Sequence, residues 1–318
     1  MVEHNKTLAF VFPGQGSQQI GMLQSVAEDF PLIRKTFATA SEVLGKDLWH
    51  LSQQGPVEDL NNTVNTQPIL LTAGVALWRV WQQKNGAMPT LMAGHSLGEY
   101  TALVCANAIS FEDGVKLVAE RGRLMQEAVP KGQGAMAAVL GLDDQILSAV
   151  CKEAAQGEVV AAVNFNAIGQ TVIAGNTQAV ERASALAKEK GAKRVLMLPV
   201  SVPSHCDLMY PAAMLFAKVL AQVAMVSPTF PVIHNVDVNS CSHPDDIRAR
   251  LVQQLYHPVR WVETIQRFSH EGLQTVIECG PGKVLSGLIK RIAPELKTMG
   301  IEMTSELVVA LENCRARS

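Results

Sequence analysis

Residues 90–106 read TLMAGHSLGEYTALVCA. The first four form a short apolar run, and residues 99–106 carry a helical pattern. Between them stands Gly94-His95-Ser96-Leu97-Gly98, a G-x-S-x-G sequence. On a strand-to-helix corner, two glycines allow a tight, strained turn that exposes the serine hydroxyl. The helix beginning there aims its free N–H groups and the positive end of its dipole at any oxyanion forming nearby. A glycine-rich turn with an ordinary serine is the bland alternative. The apolar run before the motif and the helix after it favour a nucleophile at Ser96.

Working outward, the same unit recurs. Residues 7–12 are β-rich and close on Pro13-Gly14-Gln15-Gly16. Residues 274–278 read as a strand, turn at Cys279-Gly280-Pro281-Gly282 and enter a helix over 283–292. Strands alternating with helices imply a mostly parallel sheet covered on both faces, an α/β class. The middle differs: strand 134–141, helix 143–153, strands 158–165 and 170–174, helix 177–190, strand 193–198. That order, βαββαβ, is the ferredoxin-like pattern. Pro130-Lys131-Gly132 flanks it on one side, Pro199 and Pro203 on the other. The expectation is an inserted small subdomain at 129–198 and a discontinuous core at 1–128 and 199–318.

With 318 residues, 48% of them hydrophobic, the chain has material for a sizeable core, which excludes a largely disordered protein. A net charge of −2 supplies no overall basic field, so nucleic acid is not an expected partner. The cysteines, at 105, 151, 206, 241, 279 and 314, form no CxxC pair and read as reduced thiols of a cytoplasmic protein. No HExxH occurs, and Cys241 with His243 lacks a second ligand pair, so no metal is expected. The N-terminus has acid and base ahead of a very short apolar run, unlike a signal peptide. The longest uncharged stretch, residues 159–180, contains Asn164, Asn166, Gln170, Asn176 and Gln178 and does not read as a membrane span.

A serine nucleophile needs a base. His205 is the best placed, following strand 193–198 and the loop 199–204 and preceding a helix for which Asp207 reads as the N-cap. His95 reads as packing beside the turn, while His234 and His257 stay open. No triad acid is evident: Asp113, Asp143 and Asp144 lie between Ser96 and His205 but not at a strand end, so a backbone carbonyl could orient the imidazole. Gly14-Gln15-Gly16 fails the dinucleotide fingerprint at Gln19, and Gly280-Pro281-Gly282-Lys283-Val284 lacks P-loop spacing. The former could still supply an oxyanion donor. Arg121 and Met125 share a helix face, and Arg121 reads either as a surface ion pair or as a fork for a carboxylate.

Together these pieces resemble the malonyl-CoA:acyl carrier protein transacylase family. The matching stretches, in family order, are Phe12-Pro13-Gly14-Gln15-Gly16-Ser17-Gln18, Gly94-His95-Ser96-Leu97-Gly98-Glu99-Tyr100 and Arg121-Gly122-Arg123-Leu124-Met125-Gln126. They continue with Asn164-Phe165-Asn166, Pro203-Ser204-His205-Cys206, residues 253–261 (QQLYHPVRW) and Gly280-Pro281-Gly282-Lys283-Val284-Leu285. The tail after Leu296 matches nothing usable.

The resemblance implies a hydrolase-like core with the ferredoxin-like insertion. It implies malonyl transfer from coenzyme A to the phosphopantetheine thiol of acyl carrier protein through a malonyl-serine, with ping-pong kinetics, in fatty acid biosynthesis. Ser96 would be acylated and His205 its base, the imidazole held by the main-chain carbonyl of Gln254. Backbone N–H groups of Gln15 and Leu97 would form the oxyanion hole. Arg121, with Met125, Asn164 and Asn166, would bind the substrate. No cofactor is implied, coenzyme A being part of the substrate, and a monomer is the expected state. Because the carrier is acidic, two basic clusters stand as docking candidates: Lys190, Lys193 and Arg194, and Lys283, Lys290 and Arg291. A serine esterase or thioesterase, and a non-catalytic carrier-docking module, are the competing classes. A required acceptor thiol would exclude the first, and an acyl-enzyme the second.

Overall fold

The computed structural model describes residues 7–200 and 202–314. The outermost residues of the expected core, and Ser201 in the loop before His205, lie outside them. The described strands are β1 (Leu8–Phe12), β2 (Leu91–Gly94), β3 (Gly134–Leu140), β4 (Val160–Ala167), β5 (Gln170–Asn176), β6 (Arg194–Met197), β7 (Val232–Ile233), β8 (Thr275–Glu278) and β9 (Lys297–Gly300).

One sheet is parallel throughout, in the order β7-β2-β1-β8-β9. The three strands read from sequence, β2, β1 and β8, are its centre. They are apolar along nearly their whole length because helices cover both faces. Side chains alternate between two cores. Leu8, Phe10 and Phe12 join one with the long helix Thr63–Gln83, where Phe10 meets Trp78 and Trp81 edge-on. Ala9 and Val11 join the other with Trp261, Ile265 and Phe268. The tail that matched no motif supplies the edge strand β9 and the helix Thr304–Cys314.

The second sheet is antiparallel, ordered β4-β5-β3-β6, as a ferredoxin-like unit requires. Helices Asp144–Ala155 and Thr177–Glu189 pack on one face through Ala135, Ala137, Val139, Leu147, Val150 and Ala183. The other face, with Met136, Val163 and Val172, packs against Cys206 on the segment leading back into the core. A backbone seam joins the sheets' territories: Phe165 N–H donates to Val259 O (3.0 Å), and Val259 N–H to Val163 O (2.8 Å). Among the described residues no helix is long and apolar enough to cross a membrane. No cluster of three or more His, Cys, Asp or Glu side chains among them is arranged to hold a metal.

Candidate active site

The turn after β2 is built by close approach. A Cβ on Gly98 would lie 2.0 Å from Phe12 O, and one on Gly94 would lie 1.8 Å from the Gly98 carbonyl carbon. With nothing larger than glycine tolerated, the helix Leu97–Cys105 starts hard against β1 and β2. Ser96, at the corner, takes φ 51° and ψ −107°, a strained conformation for a serine. Its N–H donates to Asn235 Oδ1 (2.8 Å), and Asn235 Nδ2 donates to Gly94 O (2.7 Å).

His205 arrives on the segment leaving the small sheet. Its N–H donates to Leu255 O (2.9 Å), and the residue has φ 67°. Nδ1 is 2.7 Å from Gln254 O, and Nε2 is 2.8 Å from Ser96 Oγ. A carbonyl only accepts, so Nδ1 carries the ring proton and Nε2 accepts from the serine hydroxyl. Burial, reinforced by the positive charge of Arg121, brings the His205 pKa down to about 3. The imidazole is therefore neutral at physiological pH, with its free nitrogen aimed at the one hydroxyl it can deprotonate.

Arg121, from the helix Phe111–Ala128, is 2% exposed, so the surface ion-pair reading does not hold. Its guanidinium donates to Gln67 Oε1 (2.8 Å), Gln254 Oε1 (3.1 Å) and Ser96 Oγ (3.2 Å), and it lies over the Tyr100 ring. Nε has no partner, and among the described residues no carboxylate pairs with this charge. A cavity of about 690 Å³ opens over these groups, with Gln15, Leu97, Met125 and Asn164 in its wall. The Asn164 Oδ1 is buried without a partner. The arrangement can move a proton from an alcohol to an imidazole beside a dehydrated cation.

Several expectations are corrected by position. Asn166 is absent from the cavity wall; its Oδ1 instead holds His95 Nε2 (2.7 Å), and His95 packs on Trp261 beside the turn. Asp207 is not a cap but the first residue of a 3₁₀ turn, Asp207–Met209, preceding the helix Tyr210–Leu220. The six docking candidates, Lys190, Lys193, Arg194, Lys283, Lys290 and Arg291, lie outside the cavity wall and stay surface candidates for the carrier rather than groups of the site. Lys283 is paired with Glu306, and Arg291 donates to Gln170. The basic residue in the wall beside Arg121 is Lys131, which the charge-run reading passed over. His234 is wholly buried against Glu99, and His257 is exposed with Nδ1 on Gln253 O, so neither reaches Ser96.

Sequence reasoning also missed the side chains of Gln67, Gln254, Asn235, Glu99 and His234. Each is uncharged in its neighbourhood's pattern or sits inside an ordinary helix or loop. Glu99 stands in the motif itself, but only the fold brings the others to it: Asn235 is 139 residues from Ser96.

Comparison with known proteins bears on the chain as a whole. The model of the family described as acyl transferase domain matches residues 9–302. The chain is 57% identical over 304 residues to the malonyl CoA-acyl carrier protein transacylase of Escherichia coli (strain K12), covering 96% of this chain and 98% of that one. Among solved structures, the malonyl CoA-acyl carrier protein transacylase of Coxiella burnetii superposes with a TM-score of 0.96 at 49% identity, over 98% of each chain. A malonyl-transacylase solved in complex with a type II PKS acyl-carrier protein gives 0.95 at 56% identity, covering 96% of this chain and 99% of the other. A match across nearly the whole length, at this identity and on this architecture, leaves one assignment: the chain belongs to the acyl transferase domain family and, within it, to the malonyl CoA-acyl carrier protein transacylases.

Proposed function

We propose that this protein transfers malonyl from coenzyme A to the phosphopantetheine thiol of acyl carrier protein through a malonyl-Ser96 intermediate, in the cytoplasm where both substrates of fatty acid synthesis are handled. The observation that carries the reading is Arg121: a buried guanidinium, 3.2 Å from Ser96 Oγ, whose protein partners are all neutral. A charge kept from water without a counter-ion calls for an anion from the substrate. The free carboxylate of a malonyl group is that anion, and acetyl would leave the site unpaired.

The geometry supports a stepwise account. His205 Nε2 takes the hydroxyl proton as Ser96 Oγ attacks the thioester carbonyl. The imidazolium forming there is stabilised by the Gln254 carbonyl on Nδ1–H. Gln15 and Leu97, in the wall beside Ser96, would give their backbone N–H groups to the oxyanion, each donor contributing about 3 kcal/mol in the transition state. Coenzyme A leaves with the proton from His205, and the carrier thiol repeats the sequence in reverse. Two half-reactions through one covalent species give ping-pong kinetics.

Intact-mass analysis after mixing with malonyl-CoA tests this directly. A malonyl adduct is expected on the wild type and none on the Ser96→Ala variant; an undiminished adduct on that variant would move the nucleophile elsewhere. In competition with acetyl-CoA, Arg121→Ala is expected to lower the malonyl preference at least a hundredfold. An unchanged preference would remove the clamp.

A further inference from the structure

Behind the Ser96 turn lies a buried acid that the transfer steps leave unused. Glu99 is 0% exposed and accepts from three donors: His234 Nδ1 on Oε1 (2.7 Å), and Asn235 N–H (2.9 Å) and Gln254 Nε2 (2.8 Å) on Oε2. His234, also 0% exposed, presents Nε2 to Cys241 Sγ at 3.1 Å. Asn235 is the residue that ties both Ser96 N–H and Gly94 O. One carboxylate thus stands behind two side chains that touch the serine turn.

Gln254 is the informative one. Its Nε2 donates to Glu99 and to Ser96 O (2.9 Å), while its Oε1 accepts from Arg121. A glutamine amide has a donor end and an acceptor end of nearly equal shape, so its neighbours decide which way it faces. Glu99 Oε2 and Ser96 O both only accept. They hold the NH₂ end toward the turn and leave the carbonyl end facing Arg121. Turned over, the amide would press N–H groups against the guanidinium and leave a buried carboxylate oxygen facing a carbonyl.

We propose that Glu99 is a positioning residue for acyl transfer: it fixes the orientation of the Gln254 amide, and so the aim of Arg121, while holding the Ser96 turn through Asn235. The proposal rests on Arg121 gripping the malonyl carboxylate. Burial alone pulls the His234 pKa down, but hydrogen bonds to Cys241 and Glu99 bring it up to about 9. Glu99 thus meets an imidazole nitrogen on one oxygen and two amide N–H groups on the other, and both amide contacts ask it to accept.

The test compares full-length wild type, Glu99→Gln, Glu99→Met and Arg121→Ala by the rates of Ser96 acylation from malonyl-CoA and from acetyl-CoA. In the Glu99→Gln variant the new carbonyl can face Gln254 and Asn235, and its NH₂ can meet a neutral His234 that carries its one proton on Nε2. The malonyl-to-acetyl ratio is expected within threefold of wild type. Glu99→Met keeps the volume and removes both acceptors, and the ratio is expected to fall at least tenfold. A packing role would rank Met with Gln, so equal ratios in the two variants overturn the proposal. Where circular dichroism finds Glu99→Met unfolded, Glu99→Asp replaces it. That variant keeps the charge but withdraws it from Gln254, and a ratio less than threefold below wild type overturns the proposal. Arg121→Ala separates the two readings: if it keeps the wild-type ratio the clamp itself is wrong, whereas a lost ratio there with intact ratios in the Glu99 variants removes only the positioning role.

Discussion

At the scale of one residue, His205 carries a consequence for pH. An exposed histidine would protonate near pH 6.5 and stop accepting from serine. Burial and the Arg121 charge bring this one to about 3. The acid limb of the acylation rate, kcat/KM for malonyl-CoA, is therefore expected well below pH 6, with activity undiminished between pH 6.5 and 5; a limb centred near 6.5 would contradict the geometry. The linkage to stability has the same sign. Below pH 6.5 the unfolded chain takes up a proton that the folded one refuses, so the contribution held above 6.5 is lost as the pH falls toward 3. Ser96 was legible in the sequence because it sits in a local pattern with a mechanical reason; His205 was only the best placed of several histidines, and Arg121 stood between a surface ion pair and a carboxylate fork until the resemblance assigned it. Gln254 was legible only as a main-chain carbonyl, through resemblance. Its side chain, like Glu99 and Asn235, was not: what they do depends on which groups face them across the fold, and an amide or a buried acid leaves no periodicity in the chain.

At the scale of an element, the Ser96 turn is a contact between backbones. The glycines at 94 and 98 were read as granting a strained turn, and the structure gives the stronger reason that no Cβ fits against Phe12 O or within the turn itself. Gly98→Ala is expected to cost about 3 kcal/mol, since the neighbour that must yield is backbone of a central strand rather than a flexible side chain. A lowered urea midpoint with an unchanged slope would report it, together with loss of the malonyl adduct. Gly287→Ala is the internal comparison: it lies within the helix Val284–Ile292 with nothing inside 4 Å of the added atom, so about 0.5–1 kcal/mol of stabilisation is expected. A destabilisation of similar size at both positions would mean that close approach is not what the turn requires. Central strands were legible because burial on both faces writes them as unbroken apolar runs. The edges were not: β7 has two residues, and β9 is exposed or half-exposed along its length, so neither has a pattern to read.

At the scale of the molecule, the site belongs to neither sheet alone. Ser96 and Arg121 stand on the parallel-sheet side, Met136 and Asn164 enter the cavity wall from the antiparallel sheet, and His205 lies on the segment returning from it. A base and nucleophile 2.8 Å apart across such a junction keep their distance only if the junction is rigid. Among the described contacts that hold it are the paired Phe165 and Val259 backbones, the Cys206 packing under the small sheet, and the Asn166–His95 hydrogen bond. The last can be removed without touching the backbone. Asn166→Ala leaves the half-buried His95 Nε2 without that partner, at a cost of about 1 kcal/mol. If the junction binds both sheets into one cooperative unit, equilibrium unfolding in urea stays a single transition whose midpoint falls with its slope unchanged. Fluorescence from the four tryptophans, Trp49, Trp78, Trp81 and Trp261, all on the parallel-sheet side, and far-ultraviolet dichroism from the whole chain should then coincide. Two resolved transitions in the wild type would show the small sheet opening by itself, and the fixed separation of Ser96 and His205 would then need a cause other than the seam.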